Sequence, residues 1–178
     1  RNYDGTPDVS ISESVRTEIE TAMADYRAAI NDYGIKRLGE VPIRLARFGN
    51  EYIQQNEPWK LIDDDPDAAA RVIRDTVQLV KAIAVTIAPV TPVKAQRMWD
   101  QLAEDGSVHE TTLDECLEST PATFGEPTEL FEKIDDGTIA DLNEALRTSI
   151  EAATKAAGGS DAAEADSAEA EPSEKTET

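Results

Sequence analysis

The chain has 178 residues, and its 37 Asp and Glu against 17 Lys and Arg give a formal net charge of -20. This length suits one domain of ordinary size and is too short for a large catalytic domain with a second module. The sequence has one cysteine, Cys116, and one histidine, His109, which excludes an internal disulfide and a Cys/His zinc site. No apolar run is long enough for a membrane span, so we expect a soluble, cytoplasmic protein.

Apolar residues at helical spacing predict two helices near the start of the chain. The first follows Ser12, a suitable N-cap residue, and ends at Gly34. The second runs from Ile35 towards Pro58. Pro42 lies inside the second pattern, and we expect it to bend or split that helix because its ring displaces a backbone hydrogen bond.

Three further helices are predicted downstream. Asp65 and Pro66 provide the cap and first-turn proline of a helix that runs to Pro89, and this helix is the most apolar, so it should be central. A short helix follows between 92 and 102. The last helix is indicated by four apolar residues at helical spacing: Ile139, Leu142, Leu146 and Ile150.

No run alternates with period two for long enough to predict a strand, so the expected fold class is an all-α helix bundle. Residues 120–136 should be an extended segment that crosses its surface. Residues 156–178 contain no aromatic and no branched aliphatic side chain, and they carry seven acids against one lysine. We therefore predict a folded helical domain over 1–155 and a disordered acidic tail over 156–178.

The motifs of common enzyme active sites are absent from this sequence. It has no glycine-rich phosphate loop, no Gly-x-Ser-x-Gly elbow and no His-Glu-x-x-His, which predicts no catalytic residue in this chain. Asp63, Asp64 and Asp65 do not have the spacing of a calcium loop. We interpret them as a solvated acidic turn before a helix and expect no metal site.

The two tryptophans have different sequence surroundings. Trp99 is in helical register with Ala95 and Leu102, which favours a core position. Trp59 directly follows Pro58 among polar residues, where we expect the preceding helix to have ended. Two alternatives remain for Trp59: it is presented at the surface, where it can stack on a nucleic acid base, or it packs against the bundle.

Several motifs, in order along the chain, resemble the C-terminal helical domain of methionyl-tRNA synthetases. The first is Asn50-Glu51-Tyr52 followed by Pro58-Trp59-Lys60-Leu61. The others are RNYDG at 1–5, LVKAIA at 79–84, APVTP at 88–92, Ala95 with Trp99 and Leu102, GEP at 125–127 and LFEKID at 130–135. Together they cover residues 1 to about 150.

The resemblance implies a helix bundle of the class I anticodon-binding type. It implies an anticodon site that includes Trp59, Pro58 and Asn50, and by position Arg1 matches a basic residue near the anticodon. In the family, an asparagine and an arginine that read the first anticodon base lie on a helix that precedes Arg1, outside this sequence.

The same resemblance implies a parent enzyme that uses ATP and Mg to activate methionine and attach it to tRNA. The family's adenylate-forming motifs, of His-Ile-Gly-His and Lys-Met-Ser-Lys-Ser type, are absent, so the chain looks like a fragment that needs no cofactor of its own. Its implied partners are the methionine-specific tRNA with a CAU anticodon and the catalytic domain of the same enzyme, with no DNA and no membrane.

The charge of -20 should repel tRNA in dilute buffer. At 1 M salt the Debye length is about 3 Å, so an acidic surface costs little there, and the composition favours a haloarchaeal source. The alternative function is an acidic helical adaptor that binds a basic protein. Such an adaptor needs no tryptophan at a helix end, and its binding weakens as salt rises.

Overall fold

The computed structural model describes residues 5–131 and 135–165, with side chains as far as 155 in the last helix. The chain divides into two compact units, Arg1–Leu130 and Phe131–Thr178, which are described separately. In the described residues every regular element is helical, which confirms the all-α prediction. The first unit contains α1 (Glu13–Asn31), α2 (Ile35–Asn56), α3 (Pro58–Asp64), α4 (Pro66–Ile87), α5 (Pro92–Gln101) and a 3-10 turn (Leu113–Leu117), and the second contains α6 (Asp136–Ala165).

Helix α4 is the centre of the first unit, as predicted. It packs against α1, α2, α3, α5 and the 3-10 turn, and the Asp65 carboxylate caps it by accepting the Ala68 N–H at 3.0 Å. Because neighbours surround α4, its buried surface is wider than one apolar stripe. Leu79, Ala82 and Val85 are buried, whereas Ile73 and Val80 are only partly buried.

We expected Pro42 to bend or split helix α2, and the split does not occur, because the helix is one continuous element from Ile35 to Asn56. Pro42 has no N–H to donate to the Leu38 carbonyl, but it is fully buried. Val41 and Leu45 beside it are also buried in the core. Packing of this segment holds the helix together where the local backbone bond is lost.

Helix α3 was not predicted from the sequence. Pro58 was interpreted only as the end of α2, but it is also the first residue of the next helix. Glu57 adopts the left-handed conformation (φ 42°), which ends α2, and the fixed φ of proline suits the first helical position. The expectation that Trp59 follows a helix in non-helical chain is therefore wrong, because Trp59 lies in the first turn of α3.

Residues 120–130 are irregular, and part of this stretch is hydrogen-bonded to the end of α5, in agreement with the predicted extended segment. The Gly125 N–H donates to the Gln101 carbonyl at 2.9 Å, and Gln101 Nε2 donates to the Thr128 carbonyl at 2.9 Å. A Cβ on Gly125 would lie 2.1 Å from the Asp100 carbonyl oxygen, so only glycine permits this approach. Residues 132–134 of the predicted segment lie outside the described residues.

Helix α6 extends further than the sequence predicted. It reaches Ala165, so the first part of the proposed 156–178 tail has helical backbone. Alanine and glutamate are strong helix formers and permit a helix without an apolar partner. The rest of the tail lies outside the described residues, and the disorder expected there stays a prediction. None of the described helices is long and apolar enough to cross a bilayer.

Candidate nucleic-acid interface

The turn between α2 and α3 presents the candidate tryptophan. Its single left-handed residue, Glu57, donates its N–H to the Ile53 carbonyl at 2.9 Å, and its own carbonyl accepts the Lys60 N–H at 2.8 Å. The Pro58 ring is buried and anchors the start of α3, whereas the Trp59 side chain is 52% exposed. The structure thus places a large apolar ring at the surface on a short, firmly connected helix.

The structure distributes the other three predicted site residues differently. Asn50 is exposed on α2, less than two turns before the end of that helix. Pro58 is buried, so it can position Trp59 but offers little surface to a ligand. Arg1 lies outside the described residues, and its assignment stays a prediction.

A buried carboxylate, Asp75 of α4, joins α4 to α2 and to the start of α1. Its side chain is fully buried and accepts the Ser12 N–H at 2.7 Å and the Tyr52 hydroxyl. The Tyr52 ring also stacks on Phe48, with ring centroids 6.1 Å apart. Burial, and then the hydrogen bond to Asp75, raise the pKa of Tyr52 to about 12.

Asp75 was not predicted from the sequence. The signal available was an acidic residue within the most apolar predicted helix, where an unpaired charge would be costly. Its partners, however, come from the start of α1 and from α2, 63 and 23 positions away. Helical spacing alone could not reveal this connection.

Trp99 occupies the core, as its helical register predicted. It is 3% exposed, and its indole N–H donates to the Asp105 carbonyl at 3.1 Å. Lys81 Nζ lies 5.4 Å from the ring centroid and 2.9 Å from Glu104 Oε1. The side chains of this ion pair are only 4% and 10% exposed, so the cluster joins α4 to the loop after α5 rather than facing a ligand.

The remaining candidate groups do not form a reactive centre in the described residues. Cys116 is fully buried, and burial raises the pKa of its thiol to about 12, so it is a poor nucleophile. Asp63, Asp64 and Asp65 are exposed, and Asp65 serves as the cap of α4. No group of three or more His, Cys, Asp or Glu side chains in the described part of the chain is arranged to hold a metal ion.

Pro58 and Trp59 also belong to one of the motifs on which the resemblance to synthetases depends. A sequence model described as the anticodon binding domain of methionyl tRNA ligase matches residues 4–150. The chain belongs to this family. The match covers most of the first unit and the first half of α6, and it does not favour the adaptor alternative.

Relatives and solved structures agree with this assignment. The methionine–tRNA ligase of Natronomonas pharaonis is 60% identical over 86% of this chain, and that of Haloarcula marismortui is 58% identical over 82%. Both are haloarchaeal enzymes, in agreement with the composition. The chain spans only 22% and 20% of their lengths.

Mycobacterium tuberculosis methionyl-tRNA synthetase, solved in complex with methionyl-adenylate, has a similar fold. The TM-score is 0.59 and the sequence identity is 16%, over 73% of this chain and 27% of that one. At this identity the similarity concerns the fold, and it supports a helix bundle of the synthetase type.

Proposed function

We propose that this domain recognises the anticodon of methionine-specific tRNA and that Trp59 is the stacking platform for an anticodon base. The observation that carries the proposal is the 52% exposed indole at the start of α3. Stacking of an unpaired base on an aromatic ring contributes about 1 to 3 kcal/mol. Burial of Pro58 and the short turn at Glu57 restrict the backbone below the ring, so the platform is largely preformed.

Stacking alone does not distinguish one base from another, because every base has a π-face. Discrimination needs hydrogen bonds to the base edge. The exposed Asn50 amide offers a donor and an acceptor on the neighbouring helix. Arg1 is proposed from the family resemblance to lie near the same loop.

In this proposal, a catalytic domain of the same enzyme carries out the chemistry of aminoacylation. There, ATP and Mg would support formation of methionyl-adenylate, and methionine would then pass to the tRNA. This chain would contribute selection of the CAU anticodon without a cofactor of its own. A ligase with this role would act in the cytoplasm, on tRNA.

The test is aminoacylation by the full-length ligase in molar KCl, with the Trp59→Ala variant compared with the wild type. We expect a steep loss of tRNA charging and unchanged methionine-dependent ATP-pyrophosphate exchange, because the adenylate site is remote. Trp59→Phe should retain part of the activity, since a smaller ring still stacks. Wild-type charging by Trp59→Ala would show that the tryptophan has only a packing role.

Tyr33→Ala is the matched control. Tyr33 is 91% exposed and lies just before α2, at the opposite end of that helix from Trp59. Loss of this aromatic ring should leave tRNA charging unchanged. If both substitutions reduced tRNA charging equally, the loss would reflect lower stability of the folded domain and not a lost contact with tRNA. That result would contradict the proposed site.

A further inference from the structure

Helix α2 carries the largest positive charge of the described helices, although the whole chain has a net charge of -20. Its four basic residues outnumber its two acidic ones. A groove of about 530 Å³ lies between α1 and α2, and three of the four basic side chains line it: Arg37, Arg44 and Arg47. We call this surface the α2 groove. Asp25 and Glu40 also line it and offset part of the charge.

The three arginines differ in their ion pairs. Arg44 is held by two carboxylates of α1, with Nη1 2.7 Å from Asp25 Oδ2 and Nε 3.5 Å from Glu18 Oε1. Arg37 Nη2 lies 2.9 Å from Asp32 Oδ2. Arg47 is exposed, and no carboxylate in the described part of the chain lies within 4.0 Å of its guanidinium.

An unpaired guanidinium is well suited to a phosphate group. Its planar fork of N–H donors matches two phosphate oxygens, and charge-assisted bonds of this type are stronger than neutral ones. In an acidic protein, nearby carboxylates are abundant and would be expected to pair with exposed arginines. Arg47 therefore keeps its donors available for a ligand.

Arg47 lies on the same exposed face of α2 as two other polar residues. Asn50 and Gln54 follow it by three and seven positions, which places all three on one side of the helix. At a rise of about 1.5 Å per residue, the end of α2 is about 14 Å from Arg47 along the helix axis. Trp59 follows that end by three residues, so a strand that runs along this face towards the end of α2 approaches Trp59.

We propose that the α2 groove binds the phosphate backbone of the RNA strand whose base stacks on Trp59. Arg47 is the direct phosphate contact, and Arg44 is a second contact whose orientation is set by Asp25 and Glu18. The inference rests on the proposed anticodon function for the identity of the RNA. The α2 groove would bind the negatively charged backbone and would not distinguish between bases, because phosphates carry no sequence information.

The experiment measures binding of two labelled RNA stem-loops to the full chain, one with a CAU anticodon and one with a permuted anticodon. Binding is followed across KCl concentrations at which circular dichroism shows each variant to be folded. Arg47→Gln should weaken binding of both stem-loops by the same factor, roughly tenfold for one charged hydrogen bond. The slope of log affinity against log salt should become shallower by about 0.7 to 0.9, as expected for one lost phosphate contact.

Arg97→Gln is the matched control, because it removes the same charge from an exposed residue of α5 that has no ion pair among the described residues. It should change neither the affinity nor the salt slope. The proposal is overturned if Arg97→Gln weakens binding as much as Arg47→Gln, since the effect would then be one of net charge. It is also overturned if Arg47→Gln has no effect or affects only the CAU stem-loop.

Asn50→Ala separates this inference from the function on which it rests. If the anticodon proposal is correct, Asn50→Ala removes hydrogen bonds to a base edge and reduces the preference for the CAU stem-loop, whereas Arg47→Gln leaves the preference unchanged. Unchanged preference in Asn50→Ala, with weaker binding in Arg47→Gln, would contradict the anticodon role alone. Absence of binding of either stem-loop to the wild type would overturn both.

Discussion

Removal of the Asp75 carboxylate provides the sharpest test of how α2 and the start of α1 are held against α4. In Asp75→Ala, the Ser12 N–H and the Tyr52 hydroxyl lose their acceptor. A buried donor left without a partner costs about 1 to 3 kcal/mol, and because both donors are only part-buried, we take the lower half of that range for each. The expected decrease in the free energy of unfolding is therefore about 2 to 4 kcal/mol.

Tyr52→Phe removes one of the two donors and leaves the carboxylate in place. A hydrogen bond to a charged group is worth about 1.5 to 3 kcal/mol, so a loss of that size is expected. Because Asp75 and Tyr52 are direct partners, the double variant should be less destabilised than the sum of the single ones, by about 0.5 to 3 kcal/mol. This non-additivity distinguishes a hydrogen bond from two independent packing defects.

The assay is urea unfolding at constant molar KCl, followed by circular dichroism and analysed by linear extrapolation. Urea is preferred to guanidinium because it leaves the ionic strength unchanged. Glu51→Ala is the control, since Glu51 is exposed on α2, and its substitution should alter stability by about 0.5 kcal/mol or less. A loss below about 1 kcal/mol in Asp75→Ala, or strictly additive single variants, would refute the role assigned to this network.

Three further outcomes are expected. Gly125→Ala should destabilise the first unit by about 1 to 3 kcal/mol in the same urea assay, because the new Cβ meets the Asp100 backbone. The control is Gly39→Ala, whose new Cβ meets nothing within 4 Å, and it should stabilise the first unit by about 0.5 to 1 kcal/mol. The free energy of unfolding should fall as pH rises from about 10 to about 12, because the native state holds the Tyr52 proton more tightly than the unfolded chain. Tyr52→Phe should make this dependence on pH weaker, as checked by urea midpoints measured on either side of pH about 10. Helical circular dichroism should increase from dilute buffer to molar KCl, because salt screens the self-repulsion of a chain with charge -20, and equal spectra would contradict this explanation.

The bounds of most helices could be predicted because their signals are local. Asp65 and Pro66 act within one turn, through a side-chain cap and a fixed φ, and α4 begins where they predicted. Pro58 shows the limit of the same reasoning. A proline ends one helix or begins another according to the residue before it, and here the left-handed Glu57 permits both.

The two tryptophans illustrate what periodicity can and cannot predict. Trp99 lies within a regular apolar pattern, and its burial followed from helical register. Trp59 lies at a junction between helices, where no period applies, so the sequence left exposure and packing as alternatives. The exposed indole is a result of how α3 lies against α4, which the structure alone shows.

Taken by itself, the sequence determined the all-helical class, the acidic character, the family resemblance and the candidate residues Trp59 and Asn50. Only the tertiary structure decided which polar groups are paired. Arg44 and Arg47 are three residues apart on the same helix, yet carboxylates of α1 hold Arg44 and leave Arg47 unpaired among the described residues. The physical reason is the separation along the sequence over which each interaction acts. Caps and helical propensity act over three or four residues. The pairing of Arg44, like that of Asp75, depends on groups brought together from distant parts of the chain.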